Sequence, residues 1–189
     1  MRRIFLIVVI TAVPLVAWAL TVEGTNYPNT VKAGGKTLKL VGAGLREKFF
    51  FDVYTMGVYT ENHTCDTRRL IKSDEVKYLR LDMHRDVSAE KMSSTIGEAF
   101  DEHMPKNAPT QLRKQRKTFE SYFKEECAEG NVIEFTYVPG KGTSMKQNGK
   151  SMGPVLVGKP FQEVLWDIYF GPDTCCDDLK EQILESCKK

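Results

Sequence analysis

Several segments of the chain carry the hydrophobic and polar patterns that are typical of β-strands. Residues 37–41 and 131–138 alternate apolar with polar side chains, and residues 77–83 form a third predicted strand. Residues 49–60 are richer in aromatic and β-branched side chains, and both of their alternating faces are largely apolar. That pattern favours a strand covered on two sides, so we expect the phenylalanines at 49–51 to lie chiefly in a sheet core.

Apolar residues at helical spacing dominate much of the remaining chain. Ser88 is a predicted N-cap, and the helix after it carries an apolar face: Met92, Ile96, Ala99, Phe100 and His103. A second helix is predicted after Pro109. A third begins at Pro160 and ends at residues 171–173, and a short last helix covers about 176–186.

The order of these elements indicates the fold class. Strands come first, then two helices, then a hairpin signalled by Asn148-Gly149, then further helices. Regular alternation of strand and helix is missing, so a parallel sheet is not expected. The order predicts an α+β fold with a mainly antiparallel sheet.

The first 19 residues have the layout of a secretory signal peptide. Two arginines follow Met1, residues 4–16 are apolar, and residues 17–19 read Ala-Trp-Ala, a typical cleavage motif. We therefore expect a signal peptide at 1–19, one domain at 20–189, and export to the periplasm of a bacterium or secretion. An uncleaved signal anchor is the alternative, although the apolar stretch is short for a bilayer span. No later run is long enough for a transmembrane helix.

The charge balance limits the classes of partner. The formal net charge is +2, from 27 basic and 25 acidic residues, which does not predict a nucleic-acid partner. One local basic cluster lies on the helix after Pro109: Arg113, Lys114, Arg116 and Lys117. It could make a peripheral contact with an anionic membrane surface, but the solvated face of an amphipathic helix is the favoured interpretation.

The chain, which we expect to enter an oxidising compartment, has five cysteines: Cys65, Cys127, Cys175, Cys176 and Cys187. The number is odd, so at least one thiol should be free or joined to another chain. A disulfide from Cys187 back to Cys175 or Cys176 would tie down the C-terminal segment. Sequence alone leaves the pairing open.

Patterns for metal binding are weak. The neighbouring pair Cys175-Cys176 is not a C-x-x-C motif, and no second cysteine pair supplies zinc-ligand spacing. Asp82, His84 and Asp86 alternate and could share one face of a strand, but a solvated strand end is the favoured interpretation. We therefore expect no metal site.

One arginine beside the aromatic segment has chemistry suited to a ligand. A guanidinium stays charged even when partly buried, and it binds a carboxylate through two parallel hydrogen bonds. Arg46 at the rim of an apolar cleft would suit a fatty acid or an anionic aromatic molecule, whereas a surface arginine after a glycine turn is the alternative. Arg46 and Tyr54 are separated by about 26 Å along a straight strand, so they can meet at one ligand only if the chain turns between them.

Several short motifs occur in a characteristic order. V-E-x-x-x-Y-P lies near the start of the expected mature chain, G-A-G-x-R ends at Arg46, and G-V-Y-x-E begins at Gly57. Two later segments, "LDMHRDVSAEKMSSTIGEAF" and "FGPDTCCDDLK", extend the pattern over the whole expected domain. In this order the motifs resemble the chalcone isomerase-like family, and specifically its exported bacterial branch.

The resemblance implies an open-faced β-sandwich, in which a large antiparallel sheet is backed by a layer of helices with a ligand cleft between them. Plant enzymes of this fold close a chalcone into a flavanone without a cofactor, and related plastid proteins bind fatty acids. In both, the arginine of the G-A-G-x-R motif meets the ligand. Arg46 occupies that position.

Other positions depart from the enzymes of the family. The resemblance implies a threonine three residues before Gly57, where this chain has Tyr54. It implies a tyrosine near the start of the helix after Pro109, but residues 110–112 are Thr, Gln and Leu. A further hydroxyl position falls at residues 167–168, which are Asp and Ile. The arginine is retained while the other polar groups of the enzyme site are missing.

We therefore expect an exported, non-catalytic protein that binds a small apolar carboxylate such as a fatty acid and needs no cofactor. Arg46 would bind the anion, Tyr54 would donate a hydrogen bond, and Phe50 and Met56 would line the wall. The alternative is a cofactor-independent intramolecular lyase that uses Arg46 as the electrophile. A third hypothesis is an interaction protein with a vestigial pocket.

Overall fold

A computed structural model of the chain describes residues 19–174 and 176–188. The signal peptide predicted at 1–19 therefore lies outside the described residues except for Ala19. The strands are β1 (Ala19–Val22), β2 (Thr25–Pro28), β3 (Thr30–Ala33), β4 (Lys36–Lys48), β5 (Phe51–Thr60), β6 (Lys77–Met83), β7 (Val132–Val138), β8 (Gly142–Gln147) and β9 (Lys150–Ser151). Strands β1 and β2 form a separate antiparallel hairpin, and β3 to β9 form one antiparallel sheet in sequence order.

Helices back one face of this sheet. They are α1 (Thr67–Lys72), α2 (Ala89–His103), α3 (Thr110–Glu120), α4 (Lys159–Phe170) and α5 (Asp177–Cys187). Helix α4 contacts the other four helices, and α5 packs along β4. The predicted α+β architecture, a large antiparallel sheet backed by helices, is confirmed. Within the described ranges, no helix is long and apolar enough to cross a bilayer.

Most elements lie where the patterns predict them. Strand β6 coincides with the predicted strand at 77–83, and β7 begins one residue after the predicted start at 131. The Ser88 side chain caps α2 and accepts a hydrogen bond from the Lys91 backbone N at 3.2 Å. Asn148 and Gly149, with φ of 50° and 76°, form the β8–β9 turn. Helix α1 was not predicted, because its 6 residues are too few to display a helical period.

The turn between β4 and β5 corrects one prediction. The strand expected at 49–60 begins only at Phe51, because Phe49 and Phe50 form a two-residue turn with φ of 49° and 67°. The three phenylalanines are 79%, 100% and 57% exposed, so the expectation that they lie in the core is wrong. Hairpin turns with positive φ usually carry Asn or Gly. This turn has neither residue, so the sequence pattern did not predict it.

The main core lies between the sheet and the helices and is rich in aromatic side chains. Phe119 of α3 is at its centre, 1% exposed. Its ring centroid lies 5.2–5.8 Å from those of Phe100, Phe123, Phe135 and Phe161. These contacts join three helices and β7 into one closed unit.

The opposite face of the sheet is covered by the β1–β2 hairpin. Tyr27 is fully buried there, and a Cβ on Gly57 would overlap its ring. The Tyr27 hydroxyl lies 2.8 Å from Thr55 Oγ1 and 3.0 Å from Asp82 Oδ2. Burial raises the pKa of Tyr27 well above its ordinary value. The hydrogen bond from Tyr27 to Asp82 helps to hold the hairpin on the sheet. Asp82 also forms a salt bridge with Arg80 of the same strand, at 2.7 Å.

The G-A-G segment allows α5 to pack directly on β4. A Cβ on Gly42 would overlap the α5 backbone, and a Cβ on Gly44 would lie 2.9 Å from the Gln182 Cβ. The Gln182 side chain accepts a hydrogen bond from the Leu45 backbone N at 2.8 Å. The two glycines therefore bring the helix close enough to hold the backbone directly before Arg46.

The disulfide expected at the C-terminus is corrected. Cys187 is bonded to Cys65, with Cα atoms 5.8 Å apart, so it cannot pair with Cys175 or Cys176. Cys176 lies at the start of α5 and Cys187 at its end, and a helix of that length separates its ends by about 16 Å, too far for a disulfide. Cys175 lies outside the described residues. Cys127 is a free, buried thiol whose pKa is raised to about 11 by burial.

Candidate functional site

A cavity of about 430 Å³ opens where the β4–β5 hairpin meets the helices. Its volume falls in the range of small-molecule sites, about 300–1,000 Å³. The hairpin contributes Arg46, Lys48, Phe49, Phe51, Val53 and Tyr54. The other walls are residues 85–88 between β6 and α2, and the side chains of Lys91, Met92, Thr95, Ile96, Ala99, Ile168, Tyr169 and Cys176.

Arg46 and Tyr54 lie directly opposite each other on β4 and β5. The chain reverses direction at Phe49 and Phe50, which is the turn that Arg46 and Tyr54 need in order to meet at one ligand. Residues paired in this way have Cα atoms about 4.5–5.5 Å apart and side chains on the same face of the sheet. Both residues line the cavity.

Arg46 is a half-buried cation in this mostly apolar setting. Its Nη1 donates a hydrogen bond to the Glu47 backbone O at 2.8 Å. Within residues 19–174 and 176–188, no carboxylate forms a salt bridge with it. A guanidinium has five N–H donors, so most of its hydrogen-bonding capacity is available to an anion in the cavity.

Phe50 and Met56, expected to line the wall, lie outside the cavity lining. Phe50 is the outer residue of the turn and is 100% exposed. Met56 shares a strand face with Tyr54 but is fully buried in the closed core. Helical packing therefore decides where along this strand face the cavity ends and the closed core begins.

Three cations of the cavity, Lys48, Arg85 and Lys91, were not predicted. Arg85 follows β6, and its guanidinium carbon lies 4.6 Å from the centroid of the Phe51 ring. Lys91 lies in the first turn of α2. With Arg46 and Lys48 they make four cations in the lining, against one carboxylate, Asp86. The cavity lining is therefore mostly apolar and includes several positively charged side chains. This combination favours an anionic ligand with an apolar body.

The apolar face of α2 was predicted, but only as core. Met92, Ile96 and Ala99 lie on that face and line the cavity, while Phe100 packs in the closed core. The period of 3.6 residues identifies an inward face, and it does not distinguish a filled interior from a hollow one. Tyr169 of α4 is a further cavity residue that no sequence signal singled out.

The remaining positions implied by the family pattern lie in different surroundings. Residues 110–112, at the start of α3, are outside the lining. Ile168 lines the cavity, whereas the Asp167 carboxylate pairs with His103 Nδ1 at 2.9 Å. Arg116 of the predicted basic cluster is held by Asp101 and Glu120, at 2.6 and 2.8 Å.

The chain is similar to a known protein family and to a solved structure. The family model described as chalcone isomerase-like matches residues 19–185 of the chain. Among solved structures, an Arabidopsis thaliana fatty-acid binding protein superimposes with a TM-score of 0.72 at 18% sequence identity. The match covers 90% of this chain and 97% of the Arabidopsis chain. A search of curated proteins found no match.

Proposed function

Because the chain belongs to the chalcone isomerase-like family, we propose that it is a binding protein whose cavity holds a small apolar carboxylate such as a fatty acid. The observation that carries the proposal is Arg46, a cation that lines the cavity without a carboxylate partner among the described residues. The fatty-acid binding named for the Arabidopsis neighbour is in keeping with it.

The two parts of such a ligand would meet two parts of the cavity. The carboxylate would accept two parallel N–H bonds from the Arg46 guanidinium. Tyr54, which pairs with Arg46 across the strands and also lines the cavity, would donate a further hydrogen bond. The acyl chain would lie against Met92, Ile96 and Ile168, and burial of its apolar surface would supply much of the affinity.

The experiment compares two ligands that differ only in the head group. Isothermal titration of the delipidated protein with dodecanoate and with dodecanol measures what the carboxylate contributes. A charge-assisted hydrogen bond contributes about 1.5–3 kcal/mol, so we expect a preference for dodecanoate of about tenfold or more. Arg46→Ala should remove that preference and leave the dodecanol affinity nearly unchanged, because the apolar walls remain.

Arg113→Ala is the matched control, since Arg113 is an exposed arginine outside the cavity lining. It should bind both ligands as the wild type does. A wild-type protein that binds neither ligand, or an Arg46→Ala variant that keeps the full preference for dodecanoate, contradicts the proposal. Mass spectrometry of an organic extract of the untreated protein would identify what the cavity carries.

The lyase alternative makes a different prediction for Arg46. If the protein cyclised a chalcone, the loss of chalcone absorbance would be faster with the wild type than with Arg46→Ala. We expect equal rates, because Tyr54 occupies the position of the enzymes' threonine and residues 110–112 supply no tyrosine to the cavity.

We also propose that the protein is exported. The disulfide between Cys65 and Cys187 supports it, because disulfides persist in oxidising compartments such as the periplasm or the extracellular space. Cleavage after Ala19 would remove only the first residue of β1. N-terminal sequencing of the protein recovered from a cell that expresses the full chain should give Leu20 as the first residue, whereas an intact N-terminus would contradict cleavage.

A further inference from the structure

The β4–β5 turn presents three consecutive phenylalanines to solvent, here called the phenylalanine tip (Phe49, Phe50 and Phe51). Their exposed fractions are 79%, 100% and 57%. Elsewhere in the described chain, the large hydrophobic residues with high exposure are Val155 and Val157, at 46% and 54%. Contiguous exposed apolar surface of this kind is characteristic of a contact site.

The backbone conformation of the turn does not explain why phenylalanine occurs at positions 49 and 50. Phe49 and Phe50 both have positive φ, a conformation that costs a bulky side chain free energy and favours Asn or Gly. The Phe50 side chain lies outside the cavity lining and outside the hydrophobic clusters. Neither local backbone preference nor packing within the described chain explains an apolar residue at this position.

Two cations lie beside the phenylalanine tip. The Lys48 ammonium lies 5.8 Å from the Phe49 ring centroid, and the Arg85 guanidinium 4.6 Å from that of Phe51. Glu47 and Asp52 pair across the strands, one position out of phase with the pair of Lys48 and Phe51, so these two carboxylates face the other side of the sheet. Exposed aromatic side chains flanked by Lys and Arg match the chemistry of an anionic bilayer surface, which has an apolar interior and a negatively charged head-group region.

We propose that the phenylalanine tip docks the protein onto an anionic phospholipid bilayer. Phe50 inserts among the acyl chains, while Lys48 and Arg85 contact the lipid phosphates. Phe49 and Phe51 also line the cavity, so docking places the cavity mouth against the membrane. Docking itself does not depend on what the cavity holds. Only the further step, exchange of an apolar carboxylate with the bilayer, rests on the function proposed above.

The experiment is flotation of the purified protein with phosphatidylcholine vesicles, with and without roughly 30% phosphatidylglycerol. We expect the wild type to float with the anionic vesicles, and about 0.5 M NaCl to weaken that binding by screening the cations. Phe50→Asn should reduce binding by about tenfold or more, since the apolar group that inserts is lost. Asn favours the left-handed conformation at this position, so the variant should fold.

Val157→Asn is the matched control, because it removes an exposed apolar side chain outside the cavity lining. It should float like the wild type. Equal flotation of wild type and Phe50→Asn, or no flotation of the wild type, overturns the proposal. A wild-type dimer that Phe50→Asn dissociates, without vesicle binding, would identify a second copy of the chain as the partner instead. Because Phe50 is outside the cavity, Phe50→Asn should still prefer dodecanoate to dodecanol, which separates failure of docking from failure of ligand binding.

Discussion

Replacing Lys77 by methionine is expected to remove a gain in stability that the wild-type protein shows as the pH rises from about 7 to about 8.5. Lys77 is fully buried beneath the helices. Its ammonium donates hydrogen bonds to the backbone O atoms of Leu70 and Ile71, at 2.7 and 3.2 Å, at the end of α1. It also lies 5.1 Å from the centroid of the Trp166 ring.

Burial lowers the pKa of Lys77 from 10.5 to about 7, because the charged form loses hydration. Above about pH 7 the folded protein releases this proton while the unfolded chain keeps it. The unfolded state then binds more protons than the folded state, so the free energy of unfolding rises with pH. The slope approaches about 1.4 kcal/mol per pH unit, which amounts to about 1–2 kcal/mol between pH 7 and pH 8.5.

Other buried groups limit this window at the alkaline side. Burial raises the pKa of Tyr27, Tyr59 and Tyr78, and that of Cys127 to about 11. These groups stay protonated in the folded state while the unfolded chain loses their protons, so stability falls again when the pH passes their ordinary values. The gain from Lys77 is therefore best measured below about pH 8.5.

Urea unfolding followed by circular dichroism, at several pH values in this window, gives the free energy of unfolding of both proteins. The titrations of tyrosine and cysteine are common to wild type and Lys77→Met, so the difference between their pH slopes isolates Lys77. Parallel slopes would refute the reasoning, since they would mean that Lys77 remains hydrated and fully charged in the folded protein.

Two further changes test the packing. Gly57→Ala should lower the free energy of unfolding by about 1–3 kcal/mol, because the added Cβ overlaps the Tyr27 ring; an unchanged urea midpoint would contradict that close approach. The disulfide Cys65–Cys187 closes a loop with a sequence separation of 122, so its reduction should lower the free energy of unfolding by about 2–4 kcal/mol. The double variant Cys65→Ser/Cys187→Ser should have that lower stability from the start, and reductant should not change its thermal unfolding.

The elements that sequence predicted well are those whose periodicity agrees with their final position. Strands β6 and β7 and helices α2 to α5 repeat apolar residues at the period of their own structure and pack that face on the core. The β4–β5 turn breaks this agreement. Phe49 and Phe50 continue the aromatic run of β5, so a pattern that counts apolar residues could not separate the turn from the strand.

Of the four residues predicted to bind a ligand, two line the cavity and two do not. Arg46 and Tyr54 were predicted from the chemistry of a guanidinium and from motif positions, and both line the cavity. Phe50 and Met56 were predicted as wall residues because they alternate with Tyr54 along the expected strand. Phe50 lies in solvent and Met56 in the closed core. Arg85 was missed, because it comes close to Tyr54 only through strand pairing: it follows β6, whose last residue, Met83, pairs with Tyr54.

Sequence alone was sufficient for the α+β class, the faces of the main strands and helices, and the arginine with the chemistry to meet an anion. These features depend on local periodicity and on the side chain itself. The pairing of Arg46 with Tyr54, the exposure of the phenylalanine tip and the bond between Cys65 and Cys187 required the tertiary structure. Each depends on where distant segments pack, which is decided by the free energy of the whole fold and not by the order of neighbouring residues.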